Sequence, residues 1–486
     1  MYAPDKYQQP IIDAVIGRAG NIQVEAVAGS GKSSTLEAAA AECDRQDRKT
    51  TVICFAKAIQ VSMEARLKKA GLKNVTASTI HSLGNRAISR ALGAARVDGD
   101  KGRTIVAEII GDSFEMRTVR GLAKRIVDLA KVTLVDPTRE GIDSLVEHYS
   151  LDAADVNGDM EIIYDAVPKA MKLAAERPAT IDFSDMVWLP HKLGLPVEQF
   201  DTVMVDESQD LNAIQRHIAL ATKAAQTITV GDERQAIFGF AGADVESMKK
   251  LRTELNAKPM PMSVCYRCPT SHLDLARKIV PQIEARPGAP VGEIVEATLS
   301  QAYPKMRDGD LILCRMNAPL AEIAMALIRA GKKASIKGRD LSSSLLSLVE
   351  RWMRGLSLSD GLARLLAWQD REVVKLEKMN KASQIDAVMD RVATVVAISD
   401  GLRDVAALNA RINSIFVENP TEGVILSSVH RAKGLEADRV MIYKPELLPW
   451  PKAMPGTWQY EQEMNLKYVA LTRAKQSLWF VSEDES

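Results

Sequence analysis

Residues 26 to 33 read Ala-Val-Ala-Gly-Ser-Gly-Lys-Ser, directly after the apolar stretch Ile22-Gln23-Val24-Glu25. This is the pattern of a loop that cradles phosphate. A strand ends, the backbone turns through Ala28, Gly29, Ser30 and Gly31, and a helix begins near Lys32. Glycines let successive N–H groups converge on anionic oxygens, and the positive end of the new helix points at the same place. Lys32 is then positioned for β- and γ-phosphates, Ser33 for Mg²⁺, and Ser34 follows in the same turn. The first position is Ala26, where glycine is usual, a departure the turn absorbs. Further on, Val203-Met204-Val205-Asp206-Glu207-Ser208-Gln209-Asp210 is an apolar strand that delivers adjacent carboxylates to its end. Beside a phosphate loop, the first carboxylate suits Mg²⁺ and the second suits polarising a water. After the next apolar run, Val230-Gly231-Asp232-Glu233-Arg234-Gln235 offers Gln235 as a hydrogen-bonding sensor of the γ-phosphate. Phe238 and Phe240 lie just beyond it, either as core residues or as stacking surfaces for bases.

The elements that must carry these residues show in the pattern of apolar runs. Thr51 to Phe55, Thr202 to Val205, Thr227 to Val230, Asp310 to Cys314, Arg439 to Tyr443 and Ser477 to Val481 end in polar or glycine residues, as buried parallel strands do. Helical patterns separate them, which predicts α/β layers with sites at the strand C-termini. Residues 86–177 and 341–422 break the alternation and are helix-like. Arg286-Pro287-Gly288-Ala289-Pro290 is a turn-rich break, and the first α/β domain is expected to end near residue 248. With 486 residues the chain exceeds one ordinary domain. Its 63 basic residues balance 63 acidic ones, so nucleic-acid contact must come from a local groove and not from bulk charge. No run reads as a membrane span or secretory signal, and five scattered cysteines suit a reducing cytoplasm. Cys265-Tyr266-Arg267-Cys268 is formally a CxxC, but it has neither a second pair nor a histidine at ligand spacing, which argues against zinc and against metal or redox use.

The order of these blocks resembles the UvrD/Rep-type superfamily 1 DNA helicases. Later blocks add to the likeness: Cys265-Tyr266-Arg267, Leu313-Cys314-Arg315-Met316-Asn317, Ser428-Val429-His430-Arg431-Ala432-Lys433-Gly434-Leu435-Glu436, and Tyr468-Val469-Ala470-Leu471-Thr472-Arg473-Ala474-Lys475. The stations run from about residue 8 to residue 476. The resemblance implies two RecA-like parallel-sheet P-loop domains, each with a mainly helical insertion. Their segments would be 1–85 and 178–248 around an insertion at 86–177, then 249–340 and 423–486 around an insertion at 341–422. It also implies that Gln8 (or Gln9) reads adenine, Tyr266 stacks on the base and Glu436 contacts the ribose. Arg267 and Arg473 would reach the γ-phosphate, where planar, permanently charged guanidinium groups suit the spreading charge. Arg315 and Arg339 do not sit at the matching stations. For nucleic acid the family pattern points to Phe55 with Lys57, to Thr79 and His81, to Phe240 and to His430. Ile181-Asp182-Phe183-Ser184-Asp185 fits a further block whose role the residues do not disclose. Ser34 and Ala241 stand where relatives often carry arginine, and Ala56 replaces a residue that is often polar.

These implications define an ATP- and Mg²⁺-dependent motor on single-stranded DNA and duplex junctions, acting in the cytoplasm of a bacterium or of a phage host, moving 3′ to 5′ and unwinding duplex. Both helical insertions are short for the family, and the tail after Arg473 is too brief for an added nuclease. Two other readings stand beside the helicase. One is a translocase, or a subunit of a repair, replication or defence complex, with little unwinding of its own. The other is a nucleotide-dependent switch for a protein partner.

Overall fold

The computed structural model describes residues 3–484 apart from 114–115, 150, 152–158, 238, 240–241, 243, 245 and 379–381. The chain forms two compact units, 1–263 and 264–486. The first is built on a six-stranded, all-parallel sheet in the order Val75–Thr79, Thr50–Cys54, Phe200–Val205, Lys223–Gly231, Ile22–Ala26, Lys258–Met262. Alternation along its strands feeds two cores, as the period of two requires. Val52, Cys54 and Met204 pack with Leu36, Ala39 and Met63 from the helices Lys32–Arg45 and Lys57–Lys69. Ile53, Val203 and Val205 pack on the other face with Leu83, Ile214 and Leu251.

The expected end of this unit near residue 248 is corrected by its sixth strand. Lys258–Met262 pairs in register with Ile22–Ala26, from Ile22 opposite Lys258 to Ala26 opposite Met262. Pro259 and Pro261 hide that strand from pattern reading, because proline cannot donate to a ladder. Both are tolerated because the strand lies at the sheet edge, where their missing N–H groups face away from Ile22–Ala26.

Within 86–177 the helices Lys101–Ile110, Arg117–Thr133, Arg139–His148 and Met160–Glu176 build a core of their own around Ile126, Val127, Ile163 and Val167. The unexplained segment Ile181 to Asp185 joins them to the sheet domain. Asp182 caps the helix Phe183–Lys192 reciprocally with Asp185. The Asp185 carboxylate is fully buried and takes Lys101 Nζ and Lys131 Nζ, each at 2.6 Å. Lys131 lies 3.9 Å from Asp182 and over the Trp188 ring, so two ammonium groups and two carboxylates balance inside the protein.

The second unit carries a seven-stranded parallel sheet in the order Glu293–Thr298, Ala474–Ser482, Ala437–Tyr443, Leu311–Cys314, Val424–Ser428, Ala334–Lys337, Phe416–Val417. Its helical segment, Arg339–Met353, Leu358–Lys378, Ala382–Ser399 and Val405–Ile415, is not a body apart. Leu345, Val349, Val392, Val395, Leu408 and Ile412 share one core with the sheet residues Ile312, Ile336 and Leu426. The segment read as 341–422 also ends in a strand of the sheet, Phe416–Val417. Among the described residues no helix is long and apolar enough to cross a membrane.

Removing one partner of a buried charge cluster leaves the others unpaired in a low-dielectric site, which costs about 3–5 kcal/mol. Asp185→Ala is therefore expected to lower unfolding stability by about that amount in urea titration. A variant as stable as the parent would refute the structural role given to the carboxylate.

Candidate nucleotide site

The phosphate loop lies where the sequence places it, between the strand Ile22–Ala26 and the helix Lys32–Arg45. Gly29 and Gly31 adopt left-handed φ angles of 67° and 82°, which a side chain at either position would strain. Gly31 caps the helix without a side-chain hydrogen bond, so the first-turn N–H groups face the loop uncapped by a side chain. Ser30 is buried with its hydroxyl unpaired. Ser33 follows as the second helical residue, with Ser34 beside it. A glycine-rich turn ahead of a helix N-terminus that no side chain caps fits a polyphosphate. Gln8, only 2% exposed, straps the loop: its Nε2 donates to the Ser30 carbonyl at 3.1 Å and its Oε1 accepts from Asp5 N. A side chain at Gly31 would meet that amide at 3.1 Å, so the strap would have to give way slightly, in addition to the backbone strain.

Lys32 Nζ pairs with Glu207 Oε1 at 2.9 Å. Burial works to lower the lysine pKa, but Glu207, Asp206 and Asp232 outweigh it and hold the pKa above the ordinary value. Burial in turn raises the Asp232 carboxyl, against the pull of Lys32 and a hydrogen bond from Gln235. Asp206, buried at the end of its strand, accepts the Glu207 N–H at 3.0 Å. Glu207 itself has a left-handed φ of 52°, unusual for a non-glycine residue and costly enough to need external support. Gln209 gives that support. Its Nε2 donates to Glu207 Oε2, and its Oε1 accepts from Asp232 N at 3.1 Å. Gln235 Nε2 donates to Asp232 Oδ2 at 2.7 Å. Lys32, Asp206, Glu207 and Gln235 thus belong to one hydrogen-bonded and charged cluster. Sequence reasoning passed over Gln209 and Asp232, although both lie inside blocks that it singled out.

Ser33 and Asp206 are the hydroxyl and carboxylate that would hold Mg²⁺, a hard cation suited to such oxygens. The deep, carboxylate-walled setting of Lys32 fits a doubly charged ion beside a triphosphate.

The predicted nucleic-acid residues of this unit lie at the same carboxyl edge, at the ends of the two strands beyond the one that ends at Asp206 and Glu207. Cys54 and Thr79 are register partners on adjacent strands. Phe55 follows the first and packs partly against the core. Lys57 is exposed at the start of its helix, with Nζ 2.7 Å from Gln60 Oε1, and Gln60 in turn donates to Ala77 O. Thr79 is occupied as the cap of the helix Ile80–Leu92, accepting from Ser82 N. His81 stands in the first turn of that helix, with burial holding its pKa below the ordinary value. Phe238, Phe240 and Ala241 lie outside the described residues.

In the second unit the structure brings Arg267, Arg473 and Glu436 together. Arg267 Nε donates to Glu436 Oε2 at 2.6 Å and its Nη1 to the Thr472 carbonyl at 3.2 Å. Arg473 is buried, with Nε on Val469 O at 3.0 Å and Nη2 on Thr472 Oγ1 at 3.2 Å. Lys475 holds the other Glu436 oxygen at 2.7 Å. Tyr266, 39% exposed, stands beside Arg267. Arg315 is committed elsewhere, to Glu463 at 2.7 Å. Arg339 opens the helix Arg339–Met353. His430, on the short helix Val429–Ala432, is pushed down to about 3 by burial and by the charges of Arg315 and Arg431. It is therefore neutral at physiological pH, and any contact it makes with DNA is by hydrogen bonding or stacking and not by charge.

A phosphate loop on one strand of a parallel sheet, with an Asp–Glu pair ending the strand next but one, defines a P-loop nucleotide-binding protein. Residues 8–256 match the UvrD/REP helicase N-terminal domain, and residues 423–481 match the UvrD-like helicase C-terminal domain. The chain belongs to the UvrD/Rep helicase family. It is 26% identical over 300 residues to the ATP-dependent DNA helicase PcrA of Leuconostoc citreum, which covers 55% of this chain and 38% of that protein. It is 27% identical over 291 residues to a probable DNA helicase of Mycoplasma pneumoniae, covering 59% of this chain and 44% of that one. It is 23% identical over 544 residues to the ATP-dependent DNA helicase UvrD2 of Mycobacterium bovis, covering 95% of this chain and 76% of that protein. Against the Leuconostoc and Mycoplasma proteins, the matched region spans less than half of the relative's length.

The His430 environment carries a pH signature. Its folded pKa lies below the unfolded value of about 6.5, so between roughly pH 6.5 and 3 the unfolded chain binds a proton that the folded chain refuses. Stability contributed by neutral His430 is complete above that range and is lost as pH falls through it. Unfolding titrations at pH 7 and pH 5 should therefore show a smaller acid loss for His430→Gln than for the parent. Equal losses would contradict the burial of a neutral imidazole.

Proposed function

We propose that the protein is an ATPase that translocates on single-stranded DNA, 3′ to 5′, and couples hydrolysis to unwinding of duplex ahead of it. One observation carries this reading. Lys32 and Glu207 meet at 2.9 Å on the phosphate loop, at the sheet edge that also presents Phe55, Lys57, Thr79 and His81. A nucleotide-dependent shift at Glu207 is then one or two strands from the residues assigned to DNA. In this reading the loop N–H groups and Lys32 bind the β- and γ-phosphates, and Glu207, held by Gln209, accepts the proton of the attacking water. Ser33 and Asp206 would hold Mg²⁺, which would neutralise charge on the phosphate oxygens. Gln235 senses the γ-phosphate through Asp232. Gln8 and Tyr266 hold the base, Glu436 the ribose, and Arg267 with Arg473 the charge that spreads over the transferring phosphoryl group. His430 and Phe240 complete the DNA track, and the polarity rests on the family resemblance. The setting is a bacterial cytoplasm or that of a phage host.

The shared core of the helical segment 339–415 and its sheet favours a second reading, a translocase with little strand separation, because the described part of this segment packs on the sheet and does not form a core of its own. A forked-duplex displacement assay separates the two: translocation without displacement selects the second.

Lys32→Ala is expected to abolish ATP turnover with the fold retained by circular dichroism, and Glu207→Gln to bind ATP while cutting turnover by about 10²–10⁴-fold. Normal turnover in either variant would mean that the site has been misread. Single-stranded DNA should raise the ATPase rate of the parent, and an unchanged rate would leave the protein-partner switch as the better account. Affinity for single strands should fall steeply with salt, with a log–log slope of about −0.7 per phosphate neutralised. A flat salt response would exclude a groove that tracks the backbone.

A further inference from the structure

Cys265 and Cys268 flank Tyr266 and Arg267, and the proposed function uses neither cysteine. The strand Val264–Cys265 ends at the first of them, and the chain bends so that Cys268 N donates to Cys265 Sγ at 3.4 Å. Between them, Arg267 is held to Glu436 and to the Thr472 carbonyl. With the first sulfur held against the backbone N–H of the second cysteine across a two-residue bend, the two thiols need little backbone movement to join. The other cysteines, Cys43, Cys54 and Cys314, are buried singly.

We infer that Cys265 and Cys268 form a reversible dithiol–disulfide pair that holds or releases the Tyr266–Arg267 turn. The inference rests on the reading of Tyr266 and Arg267 as nucleotide contacts. The Cys268 thiol donates to Cys265 and, with the nearby backbone N–H groups and the Arg267 charge, draws Cys265 down to about 7 against its burial, while Cys268 is raised. Cys265 is thus the attacking thiolate and Cys268 the resolving partner. With hydrogen peroxide as oxidant, the Cys265 thiolate attacks one peroxide oxygen, giving a sulfenic acid and releasing hydroxide, which takes up a proton to become water. The Cys268 sulfur then attacks Cys265 sulfur, forms the S–S bond and expels a second water, so two thiols and one peroxide yield one disulfide and two waters. Closure cross-links the turn from both sides and fixes the backbone of Arg267 where it rests on Glu436. Both sulfurs are buried, so oxidation needs a small reagent and a local opening of the turn.

The experiment treats the full-length protein with hydrogen peroxide, quenches with catalase, blocks free thiols and maps the cysteines by peptide mass spectrometry, with DNA-stimulated ATP turnover followed in parallel. The expected result is a Cys265–Cys268 link, a loss of turnover that dithiothreitol restores, no link in Cys265→Ser or Cys268→Ser, and no peroxide-induced loss of turnover in Cys265→Ser. Both cysteines remaining reduced while glutathione at the same peroxide dose is consumed would overturn the proposal, as would oxidation confined to Cys43, Cys54 or Cys314. A link that forms and leaves turnover unchanged would also overturn it. Arg267→Ala then tells the causes apart: lost turnover in that variant keeps the nucleotide reading and rejects only the switch, whereas full turnover rejects the reading itself.

Discussion

Lys32 brings a positive charge into a site walled by Glu207, Asp206 and Asp232, and the carboxyl edge of the first sheet is arranged around that charge. The lysine is mostly shielded, with 12% of its side chain exposed, and an unpaired ammonium there would be expensive. The carboxylates that stabilise it come from the ends of two different strands, Phe200–Val205 and Lys223–Gly231. Parallel strands end on one side by construction, so a single sheet delivers lysine, carboxylates and glutamine to one place without long loops. The close approach also explains Gly231, where a side chain would collide with Gln209, Ser208 and Met248.

Much of this was legible in the residues. The strands carrying Asp206 and Gln235 were readable because their apolar runs stop abruptly at polar groups. The phosphate loop was readable because glycine spacing and a lysine at a helix start leave few other uses. The strands Val75–Thr79, Ala334–Lys337 and Val424–Ser428 were not picked out, since Thr, Ser and Lys dilute their apolar pattern. Lys258–Met262 was hidden by its two prolines, whose compatibility with a strand depends on an edge position that only the three-dimensional pairing reveals. Gln209 escaped for a related reason: its importance lies in bridging two strand ends, Glu207 and Asp232, that are far apart in the chain.

The block from Ile181 to Asp185 shows the opposite case, in which a pattern was visible and its physics was not. Nothing local says that Asp185 meets Lys101 and Lys131, which lie 84 and 54 residues away. Charged residues in helix-like sequence normally read as a solvated face. Here the three-dimensional fold turns two of them inward, and the cluster is neutral only as a whole. Such a cluster contributes less to stability than to register, because a shifted helix would leave a charge stranded.

The two helical segments differ in how they meet their sheets, and the difference bears on how freely each can drift or be exchanged. The first has an apolar interior centred on Ile126, Val127, Ile163 and Val167, and meets the sheet domain along the helices Phe183–Lys192 and Ala213–Ala221 and through Val132 and Leu134, so a homologous segment with the same contacts could replace it. The second shares its interior with the strands beneath it and returns the final strand of their sheet. Cutting it away would strip one layer from the second unit and uncover Ile312, Ile336 and Leu426. Tolerance to insertion and recombination should therefore be uneven along this chain, with the earlier helical segment behaving as a cassette and the later one as part of the foundation.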